Sequence, residues 1–141
     1  MDRPNDVLAR GDHLGFEWIV VHNGMGYRCG YVRLPHGHPW HGRGDLEEIV
    51  ECHGGVTFAE PDRPCDKGGE DDAFWVGFDC AHAGDLPDRS LPGYERRRSE
   101  LFARIQCIGF EYKVRDQEYV EGQCRLICEQ ACQMIENLLP T

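Results

Sequence analysis

Six residues near the C-terminus, Val120, Cys124, Ile127, Ala131, Met134 and Leu138, recur at spacings of 4, 3, 4, 3 and 4. That period lays one apolar stripe along an α-helix. It predicts a helix over 116–138 and demands a surface, best a sheet, on which to bury it. Asp116 suits the N-cap, Glu118 the first turn, and Pro140 marks the end. Cys124, Cys128 and Cys132 drift around the same face by about 40° per step, which fits core filling better than a three-thiolate metal site. Gly122 weakens the helix by about 1 kcal/mol relative to alanine, which implies that something packs closely against it.

The best candidate for the surface is the stretch Ala73–Asp85, Ala-Phe-Trp-Val-Gly-Phe-Asp-Cys-Ala-His-Ala-Gly-Asp. Its first half has the length and apolarity of a buried strand, and its second half is a small-residue turn carrying Asp79, His82 and Asp85. In a strand, Phe74, Val76, Phe78 and Cys80 share one face and Trp75, Gly77 and Asp79 the other. Gly77 then leaves room for a ligand or another backbone beside Trp75 and Asp79.

Upstream, 16–22 and 25–34 read as two strands around Asn23-Gly24, a pair suited to a tight hairpin turn. Pairing His22 with Met25 sets Val20 against Tyr27, Trp18 against Cys29 and Phe16 against Tyr31. The prolines and glycines of 35–44 make a loop, in which His36, His38 and His41 are of metal-binding type and Trp40 is placed to close over a pocket as a lid. A second hairpin is expected from strands at 46–52 and 56–59 around His53-Gly54-Gly55, whose backbone amides also suit an anion-binding nest. An acidic loop follows over 60–72, then a further loop over 84–93, a short helix over 94–106 and an edge strand over 107–114. Residues 1–13 show little periodicity and read as a loose lead-in, leaving 14–141 as one domain. The fold class expected is α+β, an antiparallel sheet of about five strands packed against the long C-terminal helix.

Fifteen basic against 25 acidic side chains give a net charge of −10. That works against direct nucleic-acid binding, which draws on phosphate neutralisation. No run is long enough to span a membrane, and the first residues lack the basic-then-apolar pattern of a secretory signal, so a cytoplasmic protein is expected. Eight cysteines without a paired Cys-x-x-Cys are then expected to be reduced and largely buried.

Four segments, 30–42, 50–58, 75–85 and 112–124, together resemble a family of small, uncharacterised bacteriophage and prophage proteins. These proteins pair a His-Gly-Gly-x-Thr turn, here His53 to Thr57, with a Gly-Phe-Asp-x-Ala-His-x-Gly-Asp turn, here Gly77 to Asp85. The resemblance implies a phage origin and an accessory role, such as countering host defence, but no mechanism.

Two functions fit the residues. In the first, His53, Asp79, His82 and Asp85 gather at the end of the central strand around a divalent metal or a small phosphorylated or nucleotide-like ligand. Gly54, Gly55 and Thr57 line that site, Arg115 neutralises phosphate, and Trp40 or Trp75 stacks on a base, with binding alone or with metal-assisted hydrolysis. The same quartet also suits a closed polar network that only fixes the turn. In the alternative function, the acidic segment 60–72 docks on a basic, nucleic-acid-binding host protein and blocks it.

Overall fold

The computed structural model describes residues 6–64, 70–104 and 112–139, apart from the side chains of 62, 70–72 and 102–104. Five antiparallel strands, β1 (Val7–His13), β2 (Phe16–His22), β3 (Arg28–Pro35), β4 (Phe58–Asp62) and β5 (Glu70–Asp79), form one sheet in the order β1-β2-β3-β5-β4. A two-residue strand β6 (Asp85–Leu86) pairs in parallel with β7 (Lys113–Val114), bringing the turn after β5 to the start of the C-terminal helix. Helix α1 spans Tyr94–Arg104, and helix α2 spans Gln117–Leu138 and lies across β2 and β3. The α+β class and the long helix are as the sequence pattern requires.

Helix α2 forms where the stripe predicts. The Asp116 carboxylate accepts the backbone N–H of Tyr119 at 2.9 Å, closing the first turn. Val120, Cys124, Ile127, Cys128 and Ala131 are buried, whereas Leu138 is 65 % exposed because the sheet ends before the helix does. The thiols of Cys124 and Cys128 lie in the apolar core, and burial raises the pKa of both. Cys29, Cys52, Cys80 and Cys132 are also free thiols. The close contact expected at Gly122 is absent: an added Cβ would meet only the end of the Arg125 side chain, at 3.8 Å.

Strand β5 alternates as expected. Phe74, Val76, Phe78 and Cys80 join the core under α2, while Trp75 packs on the opposite face with Ile19, Val21, Cys29 and Tyr31. The space beside Gly77 is taken by the Tyr31 ring, onto which a Cβ there would collide, so it is filled from within the sheet.

Several elements differ from the sequence reading. Val7–His13 is no loose lead-in but the edge strand β1, with alternating half-buried and exposed residues along β2. In the β2–β3 hairpin His22 pairs with Arg28 instead of Met25. Asn23 is responsible: its side-chain oxygen accepts the N–H groups of Met25 (2.8 Å) and Tyr27 (3.3 Å), building a five-residue loop over 23–27. A shift by an odd number of residues turns the partner strand over. Ile19 therefore faces Tyr31 and Val21 faces Cys29, and the expected Val20–Tyr27, Trp18–Cys29 and Phe16–Tyr31 pairs do not form.

The second hairpin over 46–59 is also absent. Leu46–Glu48 is a 3-10 turn whose Leu46 is fully buried, and the strand after the His53-Gly54-Gly55 turn is Phe58–Asp62, paired with β5. The acidic segment accordingly starts in β4 and ends in β5, and 65–69 lie outside the described residues. Trp40 is 2 % exposed and packs in the core with Leu46 and Val50, so it is no lid. His38 is buried beside it, one ring nitrogen accepting the Trp40 N–H at 3.0 Å and the other bonded to the Ala131 carbonyl at 2.9 Å. With both nitrogens engaged, His38 ties the 35–44 loop to α2 and offers no lone pair to a metal. Of the expected edge strand over 107–114 only Lys113–Val114 falls within the described residues, as β7; for the helix over 94–106, residues 105 and 106 fall outside them.

Candidate functional site

The end of β5 delivers Asp79, and the turn that follows carries His82 and Asp85 back beneath the sheet. Asp79 Oδ1 accepts the N–H of Ala81 at 3.1 Å, the bond of an Asx turn, and stands 3.3 Å from His82 Nε2. Both side chains are about one-third exposed, at 35 % and 33 %. Asp85 is different: its side chain is 1 % exposed, and every bond it makes points into the protein.

Around Asp85 three groups converge. His53 Nε2 lies 2.8 and 3.0 Å from its two oxygens, Arg115 Nε donates at 2.9 Å, and the backbone N–H of His82 donates at 3.0 Å. Burial alone would raise the Asp85 pKa. The bonds from His53, Arg115 and the His82 amide outweigh it and hold the carboxyl below its ordinary 3.8. An ionised Asp85 can only accept, so Nε2 carries a proton, and in the neutral tautomer of the ring Nδ1 is left as the acceptor. His53 Nδ1 then accepts from the hydroxyl of Tyr119, 2.8 Å away. The His53 backbone is pinned as well, its N–H donating to Gln123 Oε1 at 2.8 Å. Arg115 completes the cluster with its guanidinium centre 5.2 Å from the Tyr119 ring centroid.

The turn at 53–55 shapes this cluster without forming a nest. Gly55 N–H is spent on the Cys52 carbonyl at 3.0 Å. Gly54 has φ +68°, and a Cβ there would overlap the His82 ring, so a glycine is needed for the two turns to touch. His53 and His82 rings approach to 5.8 Å between centroids. A closed polar network therefore accounts for most of the predicted quartet.

On the sheet face away from α2 a cleft of about 490 Å³ opens at the same end, lined by Asn23, Cys29, Tyr31, Thr57, Phe58, Asp79, Ala81 and His82. Thr57 is exposed, and Tyr31 and Phe58 meet edge to face with centroids 5.2 Å apart. Burial, with the Asp79 charge adding to it, pushes the Cys29 thiol up to about 12, so it lines the cleft as a neutral group.

Of the expected site residues, His53, Asp85, His82 and Arg115 are brought together, with Gly54 touching His82. Asp79, His82 and Thr57 line the cleft. Trp40 and Trp75 are buried in the two cores and stack on nothing from solvent. Arg115 is committed to Asp85. The residues that sequence reasoning passed over are Tyr119, Gln123, Tyr31 and Phe58. Arg115, Tyr119 and Gln123 recur every fourth position beside the apolar stripe, which is the signal that would have found the first two.

A divalent ion fits the quartet poorly. Each His53 ring nitrogen already has a partner, and a guanidinium sits against the one buried carboxylate of the quartet. Among the described residues no group of three or more His, Cys, Asp or Glu is arranged to hold a metal ion.

Fold and site together define an α+β protein with a histidine–carboxylate network, built on a buried Asp85, beside an open cleft. Comparison with protein-family models, curated proteins and solved structures finds no match. No helix among the described residues is long and apolar enough to cross a membrane.

Proposed function

We propose that the chain binds a small nucleotide-like ligand in the cleft at the end of β5. The observation that carries this is the convergence of Asp79, His82 and Thr57 opposite the aromatic pair Tyr31 and Phe58 in a cavity of about 490 Å³. That size, with apolar walls and a few placed polar groups, is what small-ligand sites have in common. A flat ring packs against Phe58 and Tyr31, while its amino or hydroxyl hydrogens are received by Asp79 and Thr57. Among the described residues no arginine or lysine lines the cleft, so the ring and sugar are recognised and a phosphate stays in solvent. The resemblance to phage proteins supports a setting during infection, with sequestration of a host nucleotide signal as the accessory role.

Titration calorimetry against a panel of nucleosides, linear nucleotides and cyclic nucleotides tests this. One member binds at micromolar Kd, and Asp79→Asn weakens it at least about tenfold, the loss expected of one charge-assisted hydrogen bond. Silence across the panel, or equal affinity in Asp79→Asn and His82→Ala proteins that keep the native melting profile, sinks the reading. Silence would favour docking of the acidic face on a basic host protein. That second reading is supported by the net charge of −10 and by the exposed Glu60 on the edge strand β4.

A further inference from the structure

We propose that Tyr119, His53 and Asp85 form a nucleophilic triad in which the Tyr119 phenol is the nucleophile and the substrate is an electrophilic phosphoryl compound. The geometry has the three required relations: phenol to imidazole at 2.8 Å, imidazole to carboxylate at 2.8 Å on the opposite nitrogen, and a carboxylate sealed from water. This is the nucleophile–base–orienter order of acyl- and phosphoryl-transfer sites, with a phenol in place of a serine or cysteine. His38 also has both ring nitrogens engaged, but by backbone groups; at His53 the two partners are a phenol and a carboxylate. In the neutral tautomer with its proton on Nε2, toward Asp85, the basic nitrogen meets the phenol.

The supporting groups agree. Gln123 holds the His53 backbone, and Arg115 and the His82 amide hold Asp85, so the imidazole cannot swing away. Burial raises the Tyr119 pKa, so the phenol keeps its proton at neutral pH and depends on a base to lose it. The Arg115 guanidinium, bonded to Asp85 through Nε, also lies 5.2 Å from the Tyr119 ring centroid, so a positive charge stands beside the phenol and favours an anionic, phosphoryl-bearing substrate.

In the step itself the Tyr119 oxygen attacks phosphorus. The O–P bond forms, the bond from phosphorus to the leaving group breaks, and the leaving group departs with that electron pair. The phenol proton passes to His53 Nδ1, and the resulting imidazolium, stabilised by Asp85, returns it to the leaving group. The product is a phosphotyrosyl protein. This site stands apart from the cleft and holds or fails whatever the cleft binds.

The test is reaction of the intact chain with an alkyl fluorophosphonate, in which fluoride leaves, followed by peptide mass spectrometry at all five tyrosines. Tyr119 is modified at least about tenfold faster than Tyr94, a half-buried tyrosine outside the cluster. His53→Gln and Asp85→Asn each lower the Tyr119 rate at least about tenfold, leaving Tyr94 unchanged. Modification of Tyr119 no faster than Tyr94 in the wild type overturns the proposal whether or not the variants fold. So does an unchanged Tyr119 rate in a folded His53→Gln protein.

Discussion

Asp85 ties the local structure together, because His53, the His82 amide and Arg115 all end on its two oxygens. Its folded-state pKa is held below 3.8. Between that lower value and 3.8 the unfolded chain binds the proton more readily, so stability rises with pH across the window and is lost as pH falls through the folded pKa. Denaturation midpoints measured from pH 5 down to pH 2 should fall for the wild type, and Asp85→Asn should flatten that part of the profile while lowering stability at pH 7. An equally steep acid limb in the variant would assign it to other carboxylates, Asp88 first, which is depressed in the same direction. Asp79, His82 and Asp85 were legible in the sequence because polar residues at the end of an apolar strand need partners, and His53 because it stands beside paired glycines. Their partners were not. Whether a tryptophan lines a cleft or fills a core depends on what lies above it: Trp40 is buried in the larger core, and Trp75 is buried with the Arg63 guanidinium 5.6 Å from its ring centroid.

Among the elements, α2 was the most legible, since a single-faced period of 22 residues has one physical solution. At its one discordant residue, Gly122, a Cβ would make only an ordinary 3.8 Å contact with the end of the Arg125 side chain among the described residues. Gly122→Ala should therefore stabilise the protein by about 1 kcal/mol, the helix-propensity difference, read as a rise in the urea midpoint at constant slope. A drop would reveal a contact that the geometry does not contain. The strands were less legible because pairing is settled by loops. The β2–β3 register hangs on one asparagine side chain whose two bonds lengthen the turn from two residues to five. Segment 46–52 alternates well enough for a strand, yet Leu46 and Val50 are needed under the Trp40 loop, where a 3-10 turn buries both. Gln130 then holds it there by bonding both the N–H and the carbonyl of Glu51, at 2.8 and 2.7 Å.

At the scale of the molecule, the sheet has two unequal faces. One is closed by α2 and the 38–52 segment; the other carries the smaller cluster of Ile19, Val21, Cys29, Tyr31 and Trp75, and the cleft opens where that cluster ends. Strand β1 serves both faces, with Ala9 packed against the larger core and Val7 against the smaller. It also covers the edge of β2, whose residues 18–22 are all buried. This is why an N-terminal stretch without obvious periodicity is ordered: half-buried alternation is faint in composition, but the alternative is an open, apolar strand edge. A chain starting at Leu14 should lose on the order of 2 kcal/mol, the burial of about one valine-sized side chain, and should associate through the exposed β2 edge. Sedimentation velocity and urea denaturation of the truncated and full chains decide the matter. A truncated protein that stays monomeric with an unchanged midpoint would show that β2 needs no neighbour, and that the cleft end of the sheet is held by β3, β5 and α2 alone.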